Sequence, residues 1–583
     1  MPRFAWIVGA LRKQGPLLPL LAVAAAIRLW TMPCKNEIRD MDEIGYTSGG
    51  LLMWEGMLPG WRAAPAGPQT WIGWLWIAIR SGWHLLKHTH SIPGPLKAFT
   101  AIDQALFETY ADLGPLRQAM LWISLGIALV GVVAAYRLGL KYGGKAGGVL
   151  IGGVVALLPI YVEFAGMSRS YSDSWMLAIS SISCAATLKK PQVCWLAGIL
   201  FGLAVASRID IVMLAPILAW ALWDNDNLDG KGIFVTISRT AFTSALTVLV
   251  TAPWLMIAFV GTLRIIAMAR VLGYFNIESP RLATFKDLTW EQGLGPLLLA
   301  AAVGIFIPAK SQAKKWTLGG LTLLALSTMF VGHYQVMRYH GAPLITIIAF
   351  ASVSLGAILN RIPRWPALGI VMCLLVVPSV QSVRTAIHQR SLSHVDASTE
   401  WIEKHVPPGT IVYFHGHFAC KTVPPTAEAA DAIWKQVAND EAWRTKLEDG
   451  FRRFSLPADR FPRAMSEDNL CLDRAICRRW FILGGGSQAQ PRYDLRPFDI
   501  SKTFGLHSSE IAEAFKRTGG VLIWRTAAAP APPTDLGEPF VKWVNTYGNG
   551  TLLYISDNVR RKLLNYHISE TESPSPAGDQ RKN

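Results

Sequence analysis

The chain has 583 residues and a net charge of +16, with 16% charged residues, against about 25% for soluble domains. Its mean hydropathy is +0.29, and apolar runs of roughly 17–25 residues, long enough to cross a bilayer's hydrocarbon core, recur as far as about residue 383. A soluble globular protein is excluded. The Lys and Arg excess collects in short loops between apolar runs, the pattern of a membrane protein's cytoplasmic side, so no nucleic-acid partner is expected.

Arg3, Arg12 and Lys13 precede an apolar run from Gly15 to Met32. That run is long for a signal peptide, and Arg28 follows Ala24-Ala25-Ala26 where a cleavage site would fall, so it reads as an uncleaved first span. The segment Asp40-Met41-Asp42-Glu43-Ile44-Gly45-Tyr46 comes next, and its carboxylates at a helix exit suit chemistry at the membrane surface. Spans are expected at roughly 16–33, 117–138, 146–163, 174–188, 193–206, 209–223, 240–260, 294–308, 316–332, 341–359 and 366–382. The stretch 71–86, with Trp71, Trp74, Trp76, Trp83 and Arg80, is expected to lie in the headgroup layer and not to cross. With that assignment Lys141, Lys145, Lys189, Lys190, Lys231, Arg239, Lys310, Lys314, Lys315, Arg361 and Arg364 all fall on the cytoplasmic side. About eleven spans result, and the odd number puts residues after 383 outside.

The outer loops carry a second set of groups. They are Asp40, Asp42 and Glu43, then Arg169 and Asp173, then Arg208 and Asp210, and finally His333, Tyr334, Arg338, Tyr339 and His340. Any one of them reads as an ordinary solvated loop residue. As a set they point to a site, because ionisable groups near membrane depth line polar cavities or pair with one another.

The order of motifs carries a resemblance. D-E-I-G-Y follows the first span, then come W-E-G-M-L-P-G-W and A-P-A-G-P-Q-T-W. Much later come S-R-S-Y-S-D-S-W, G-I-L-F-G-L-A-V-A-S-R and H-Y-Q-V-M-R-Y-H-G-A-P-L. Over roughly residues 16–382 this resembles the GT-C class of integral-membrane glycosyltransferases, and within it the protein O-mannosyltransferase and lipid A aminoarabinose transferase relatives. The resemblance implies a polyprenyl-phosphate sugar donor, an acceptor that is a lipid, a glycan or a protein, and a site on the outer membrane face. It implies catalytic roles for Asp42, with Glu43 beside it, and for Asp173, and a donor-phosphate contact for Arg338. Tyr46, Arg169, Arg208, His333 and Tyr339 join Arg338 as expected substrate-binding residues. The aminoarabinose transferases carry a Lys near the segment matching Ala66-Gly67-Pro68; none stands here, so Arg62 or Arg208 would have to serve.

Such a transfer needs a base for the acceptor hydroxyl, which Asp42 can supply, and a guanidinium for the departing phosphate. Direct attack predicts inversion at the anomeric carbon. No cofactor is expected with certainty. A divalent cation between Asp42 and Asp173 is a candidate, though two carboxylates do not make a metal site by themselves. Gly484-Gly485-Gly486 after W-F-I-L lacks both nucleotide-binding fingerprints and reads as a turn. His415 and His417 lack a third ligand at useful spacing and read as loop histidines. Cys34, Cys184, Cys194 and Cys373 lie in or near spans, and Cys420, Cys471 and Cys477 allow one disulfide without fixing the pair.

Residues 384–570 alternate helical segments with strand-like runs at 410–414, 480–483, 521–524 and 551–555, which suggests a small α/β domain without a recognised motif. The tail from Thr571 reads as disordered. The expectation is a mainly α-helical, GT-C-like polytopic protein of a bacterial inner membrane, with catalytic domain 1–383, an extracytoplasmic α/β domain and a tail at 571–583. A transporter or flippase of a lipid-linked or anionic substrate is the alternative from another class. A polymerase or ligase of surface polysaccharide would share the outer-face site.

Overall fold

The computed structural model describes residues 15–32, 41–54, 67–87, 101–106, 108–109, 114–167, 170–187, 193–228, 230–253, 285–308, 311–331, 341–391, 394–415, 426, 428, 493–497, 508–525, 536–544 and 550–563. Helices follow the apolar runs: α1 (Leu17–Thr31), α2 (Met41–Trp54), α3 (Gly67–Lys87), α4 (Gly114–Leu157), α5 (Pro159–Ala165), α6 (Ser170–Thr187) and α7 (Cys194–Ser207). A 3-10 turn, Ile209–Leu214, leads into α8 (Ala215–Trp223), then α9 (Gly230–Thr251), α10 (Gly295–Gly304), α11 (Gln312–Val331), α12 (Gly341–Leu359) and α13 (Arg364–Ser391). Among the described residues four are long and apolar enough to cross a membrane, at Gly114–Leu157, Gly232–Thr251, Gly341–Leu359 and Arg364–Ile387; shorter apolar helices stand at Leu17–Thr31, Cys194–Ser207, Ile209–Trp223 and Gly295–Gly304.

The 44 residues of α4 are two helices, broken at Gly143 and Gly144. Gly144 has φ +57 and ψ −153, a region that essentially only glycine occupies. The halves fold back on each other so closely that a Cβ on Gly139 would lie 2.2 Å from the Gly147 carbonyl oxygen, and Tyr136 covers Gly148 and Gly152. Small residues permit this approach, and in lipid close van der Waals contact drives helix pairing. Around this hairpin pack α1, α6, α12 and α13.

The second half ends at Leu157 because Pro159 cannot continue it, which leaves the last carbonyls without helical donors. Arg28 of α1 fills that need. It is fully buried, and its guanidinium donates to the carbonyls of Ala156 at 2.8 Å and Val155 at 3.1 Å. Ser382 donates to the carbonyl of Leu157. The first arginine inside an apolar run is thus a helix cap.

Loop ends sort into two groups. At one, Lys141 pairs with Asp224 at 3.0 Å and donates to the Ala186 carbonyl at 3.0 Å, while Lys314 approaches the same carboxylate at 3.9 Å. Buried Lys315 donates to the carbonyls of Gly304 and Ile307, and Arg361 to that of Pro308 at 2.9 Å. These belong to the set expected on the cytoplasmic side; Lys189, Lys190 and Lys310 lie outside the described residues. The opposite group joins the end of α1, the starts of α6 and α12, and the ends of α7 and α9. Gly67 of α3 sits against the carbonyls of Thr251 and Ala206, and Gly166 against that of Thr31.

Both ends of α3 are held by residues of that second group and the chain leading into α4. Trp71 donates to Thr251 at 2.8 Å, and near the far end Arg80 and His84 meet Glu108 at 3.1 and 3.0 Å. Gly73 of α3 receives Gly50 of α2, and Trp54 stacks on Trp74 with ring centres 5.0 Å apart. Leu75, Ile79, Trp83 and Leu86 form an exposed apolar stripe along the helix.

After α13 come α14 (His394–His405), strand β1 (Ile411–His415), β2 (Asp494–Pro497), α15 (Ser508–Thr518), β3 (Val521–Arg525), β4 (Val541–Val544) and β5 (Gly550–Ile555). The sheet order is β2-β1-β3-β5-β4. β1 runs parallel to β2 and β3, with Ile411 opposite Asp494 and Val412 opposite Val521, while β5 is antiparallel to β3 and β4. Tyr413, Phe515, Leu522, Trp524, Leu552 and Tyr554 form one core. Three expected strands are present, and the helical segments expected between them stand at His394–His405 and Ser508–Thr518. Strands β2 and β4 were not foreseen, and the expected run at 480–483 lies outside the described residues, as do Gly484-Gly485-Gly486, His417 and the tail from Thr571. Cys184, Cys194 and Cys373 are free thiols; Cys34, Cys420, Cys471 and Cys477 lie outside the described residues.

Candidate functional site

Asp173 lies in the first turn of α6 and is buried. Its Oδ2 accepts from Ser124 Oγ at 3.0 Å and from Gln69 Nε2 at 3.2 Å. These donors come from the first half of α4 and from the start of α3, so three segments distant in sequence meet on one carboxylate. A carboxylate out of water has to be satisfied by hydrogen bonds, and these two fall on one of its oxygens.

Two residues earlier, Tyr171 points to a second group. The Arg208 guanidinium lies over its ring at 3.7 Å. Helix α7 stops at Ser207 because Arg208 is extended, with φ −157 and ψ 122. That extension brings Asp210 back onto Arg208, where Nε donates to Oδ1 at 2.9 Å and Nη2 to Oδ2 at 3.1 Å. Burial works against the charge on Arg208, but Asp210, then Tyr171 and Tyr46, outweigh it and hold its pKa well above the usual arginine value. Tyr46, buried on α2, therefore belongs to the same group.

An aromatic cluster joins these groups to the start of α12. Trp175 is fully buried against Tyr161, Phe164 and Tyr171, with ring centres 5.3, 5.5 and 6.0 Å away. Gly341 lies on its indole so closely that a Cβ would fall 2.0 Å from Cε2. Tyr161 donates to the Gly341 carbonyl at 3.2 Å. Position 341 must therefore be glycine, and α12 starts beside α6.

Of the residues expected from the sequence, Tyr46, Asp173 and Arg208 are brought to one end of the bundle. Asp42 and Glu43 fall in the first turn of α2, with Tyr46 one turn further on; their side chains lie outside the described residues. Arg62, Arg169, His333, Arg338 and Tyr339 also lie outside them. Among the described residues no three His, Cys, Asp or Glu side chains gather as a metal site.

No protein-family model and no curated protein matches the chain. Solved structures of an oligosaccharyltransferase from the archaeon Archaeoglobus fulgidus are similar at a low level. One, tethered to an acceptor peptide, is 12% identical with a TM-score of 0.35, over 69% of this chain and 62% of that one. A second, with an inhibitory peptide and a dolichol-phosphate, is 12% identical with a TM-score of 0.36, over 94% and 75%. A third, with zinc and sulfate, is 11% identical with a TM-score of 0.36, over 91% and 73%. The chain thus spans less than two thirds of the first of these structures.

Gln69, Ser124, Tyr171 and Trp175 were not singled out from the sequence. Gln69 follows a Pro-Gly-rich stretch, A-P-A-G-P-Q-T-W, at the very opening of a helix, which is a usable signal. Tyr171 and Trp175 sit in S-R-S-Y-S-D-S-W around the chosen acid. Ser124 lies inside an apolar run, where nothing in the sequence marks it off from a helix-packing serine.

Proposed function

We propose that the chain transfers a sugar from a polyprenyl-phosphate donor to an acceptor hydroxyl at the extracytoplasmic membrane face, within the GT-C-like class. The observation that carries the reading is that α6 presents Tyr171, beneath the Arg208 guanidinium, and, two residues further on, the buried Asp173, at the end of the bundle opposite the lysine-rich loops. Helix α2 brings the backbone of Asp42 and Glu43 within one turn of Tyr46, a member of that group. In the proposed reaction the acceptor oxygen attacks the anomeric carbon and the bond from that carbon to the phosphate oxygen breaks. Asp42 takes the acceptor's proton, and polyprenyl phosphate leaves with the bonding electrons, its charge stabilised by Arg338. Inversion follows from the single displacement.

The phosphate role belongs to Arg338 rather than Arg208. The planar fork of Arg208 is already engaged on both oxygens of Asp210, which also neutralises it. Arg338 stands three residues before Gly341, which packs on the Trp175 indole. The reading includes eleven crossings, with α3 in the interface and residues 384–583 outside, in a bacterial inner membrane.

The test is release of polyprenyl phosphate from a panel of short-chain polyprenyl-phosphate monosaccharides by the purified chain in lipid nanodiscs. Release that depends on Asp42 is the expected result. Translocation of the intact donor across vesicles, with no release, would instead favour a flippase.

A further inference from the structure

The polar groups around Asp173 are left unbalanced in a way that base chemistry at Asp42 does not use. Asp173 is 5% exposed, Gln69 2% and Ser170 1%. Asp173 Oδ2 takes two donors, but Oδ1 has no hydrogen-bond partner. Gln69 Oε1, Thr70 Oγ1, Ser170 Oγ and Ser172 Oγ are likewise buried and unpartnered. With the Trp175 indole nitrogen, six of the eleven such side-chain atoms among the described residues fall at the starts of α3 and α6. Buried polar atoms are normally satisfied, so a cluster of exceptions in one place needs an explanation. Ser170 precedes Asp173 by three residues and shares its face of α6.

We propose that this cluster binds hydroxyls of the donor sugar, with Asp173 Oδ1 accepting a hydrogen bond from one of them. Asp173 is then a sugar-recognition residue and not a second base. The inference rests on the glycosyl-transfer reading and names the subsite that reads the sugar. An ionised carboxylate only accepts hydrogen bonds, so its ligand must donate. Gln69 has turned its amide N–H to Asp173, and its carbonyl oxygen is a second acceptor. Ser170 and Ser172 can donate and accept. Neighbouring hydroxyls of a sugar ring, each donor and acceptor, match this set. Phosphate oxygens do not, since they only accept and Asp173 repels them. A hard cation, which also seeks oxygen ligands, is the competing occupant.

The experiment uses the full chain in nanodiscs. The probes are the polyprenyl-phosphate monosaccharide that the wild type turns over best, its monodeoxy analogues, and sugar-free polyprenyl phosphate. One deoxy analogue is expected to lower wild-type kcat/KM by about 10²-fold or more, since a site built to bond a hydroxyl rejects the analogue lacking it. Asp173→Asn should lose a similar factor on the parent donor, lose nothing further on that one analogue, and bind sugar-free polyprenyl phosphate as the wild type does. Ser170→Ala, a milder change, should show a smaller loss confined to the same ring position. Equal additional losses on every analogue would overturn the proposal, as would weakened binding of the sugar-free lipid by folded Asp173→Asn. Wild-type activity abolished by chelation, restored by Mg²⁺ or Mn²⁺, and insensitive to both in Asp173→Asn would give the site to a cation instead. If the wild type releases polyprenyl phosphate from no donor, the glycosyl-transfer reading itself fails, and this subsite with it.

Discussion

Arg208 and Asp210, two charges inside an apolar stretch, pair with each other in the fold. The pair is bidentate, and its guanidinium lies over the Tyr171 ring. Removing one partner of such a buried pair leaves the other uncompensated, so its first effect is on the shape of the site. Asp42 is the residue that the proposed chemistry loads most. Asp42→Asn should insert and fold normally while turnover falls by about 10²-fold or more, measured as polyprenyl phosphate released per minute. Near-normal turnover would pass the base role to Glu43. For Arg338 the exchange to Lys is the sharper test, because it keeps charge and loses the planar fork. Transfer should weaken with Arg338→Lys and fall further with Arg338→Ala, by a few kcal/mol in transition-state terms. If Lys serves as well as Arg in both kcat and donor affinity, Arg338 only anchors its helix at the interface. At this scale the sequence singled out Asp173 and Arg208 through their isolation among apolar residues, while the side chains of Asp42, Glu43, Arg169 and Arg338 lie outside the described residues. It did not locate Gln69 or Ser124, whose meaning comes only from the distant carboxylate that they touch.

Among the elements, α3 was the least certain from periodicity. Its sixteen-residue aromatic core, 71–86, has the length of a short span. The loop charges argued against a crossing; in the fold Gln69 and Trp71 reach Asp173 and Thr251, and Arg80 and His84 reach Glu108. Arg28 shows the opposite lesson. In the sequence it was evidence against a cleavage site, while its role as a cap for carbonyls more than a hundred residues away was invisible. Arg28→Met keeps much of the volume but leaves Val155 and Ala156 without those donors. It should destabilise the chain by about 1–3 kcal/mol, seen as a lower unfolding midpoint in detergent. An unchanged midpoint would mean that the carbonyls find other partners. Strands β2 and β4 were missed because each has only four residues, too few for period-two alternation to stand out.

For the whole molecule, the distribution of lysines was the most informative signal in the sequence. Lys141, Lys314, Lys315 and Arg361 do converge on one end, through Asp224 and the open carbonyls of α10 and its following turn. Counting crossings from that bias puts the C-terminal sheet and the acidic site on the same side of the membrane. A reporter cysteine near residue 450, in a background lacking other accessible cysteines, should therefore react with an impermeant reagent in intact cells. One placed at Lys145 should react only after lysis. Protection at 450 would invert the topology and separate the domain from the site. What the sequence could not convey at this scale is which loops touch, because that depends on close approaches such as Gly341 on Trp175 and Gly50 on Gly73.

The turn at Gly143-Gly144 has a consequence for biogenesis. Two helices joined by a two-residue bend and packed glycine on glycine leave no slack for one to enter the membrane without the other. A pair that enters the membrane as one unit would give residues 145–157 the orientation set by residues 114–142. An epitope inserted at this bend would pry apart the hairpin on which the other helices assemble, whereas the same insertion in a long outer loop would leave assembly intact.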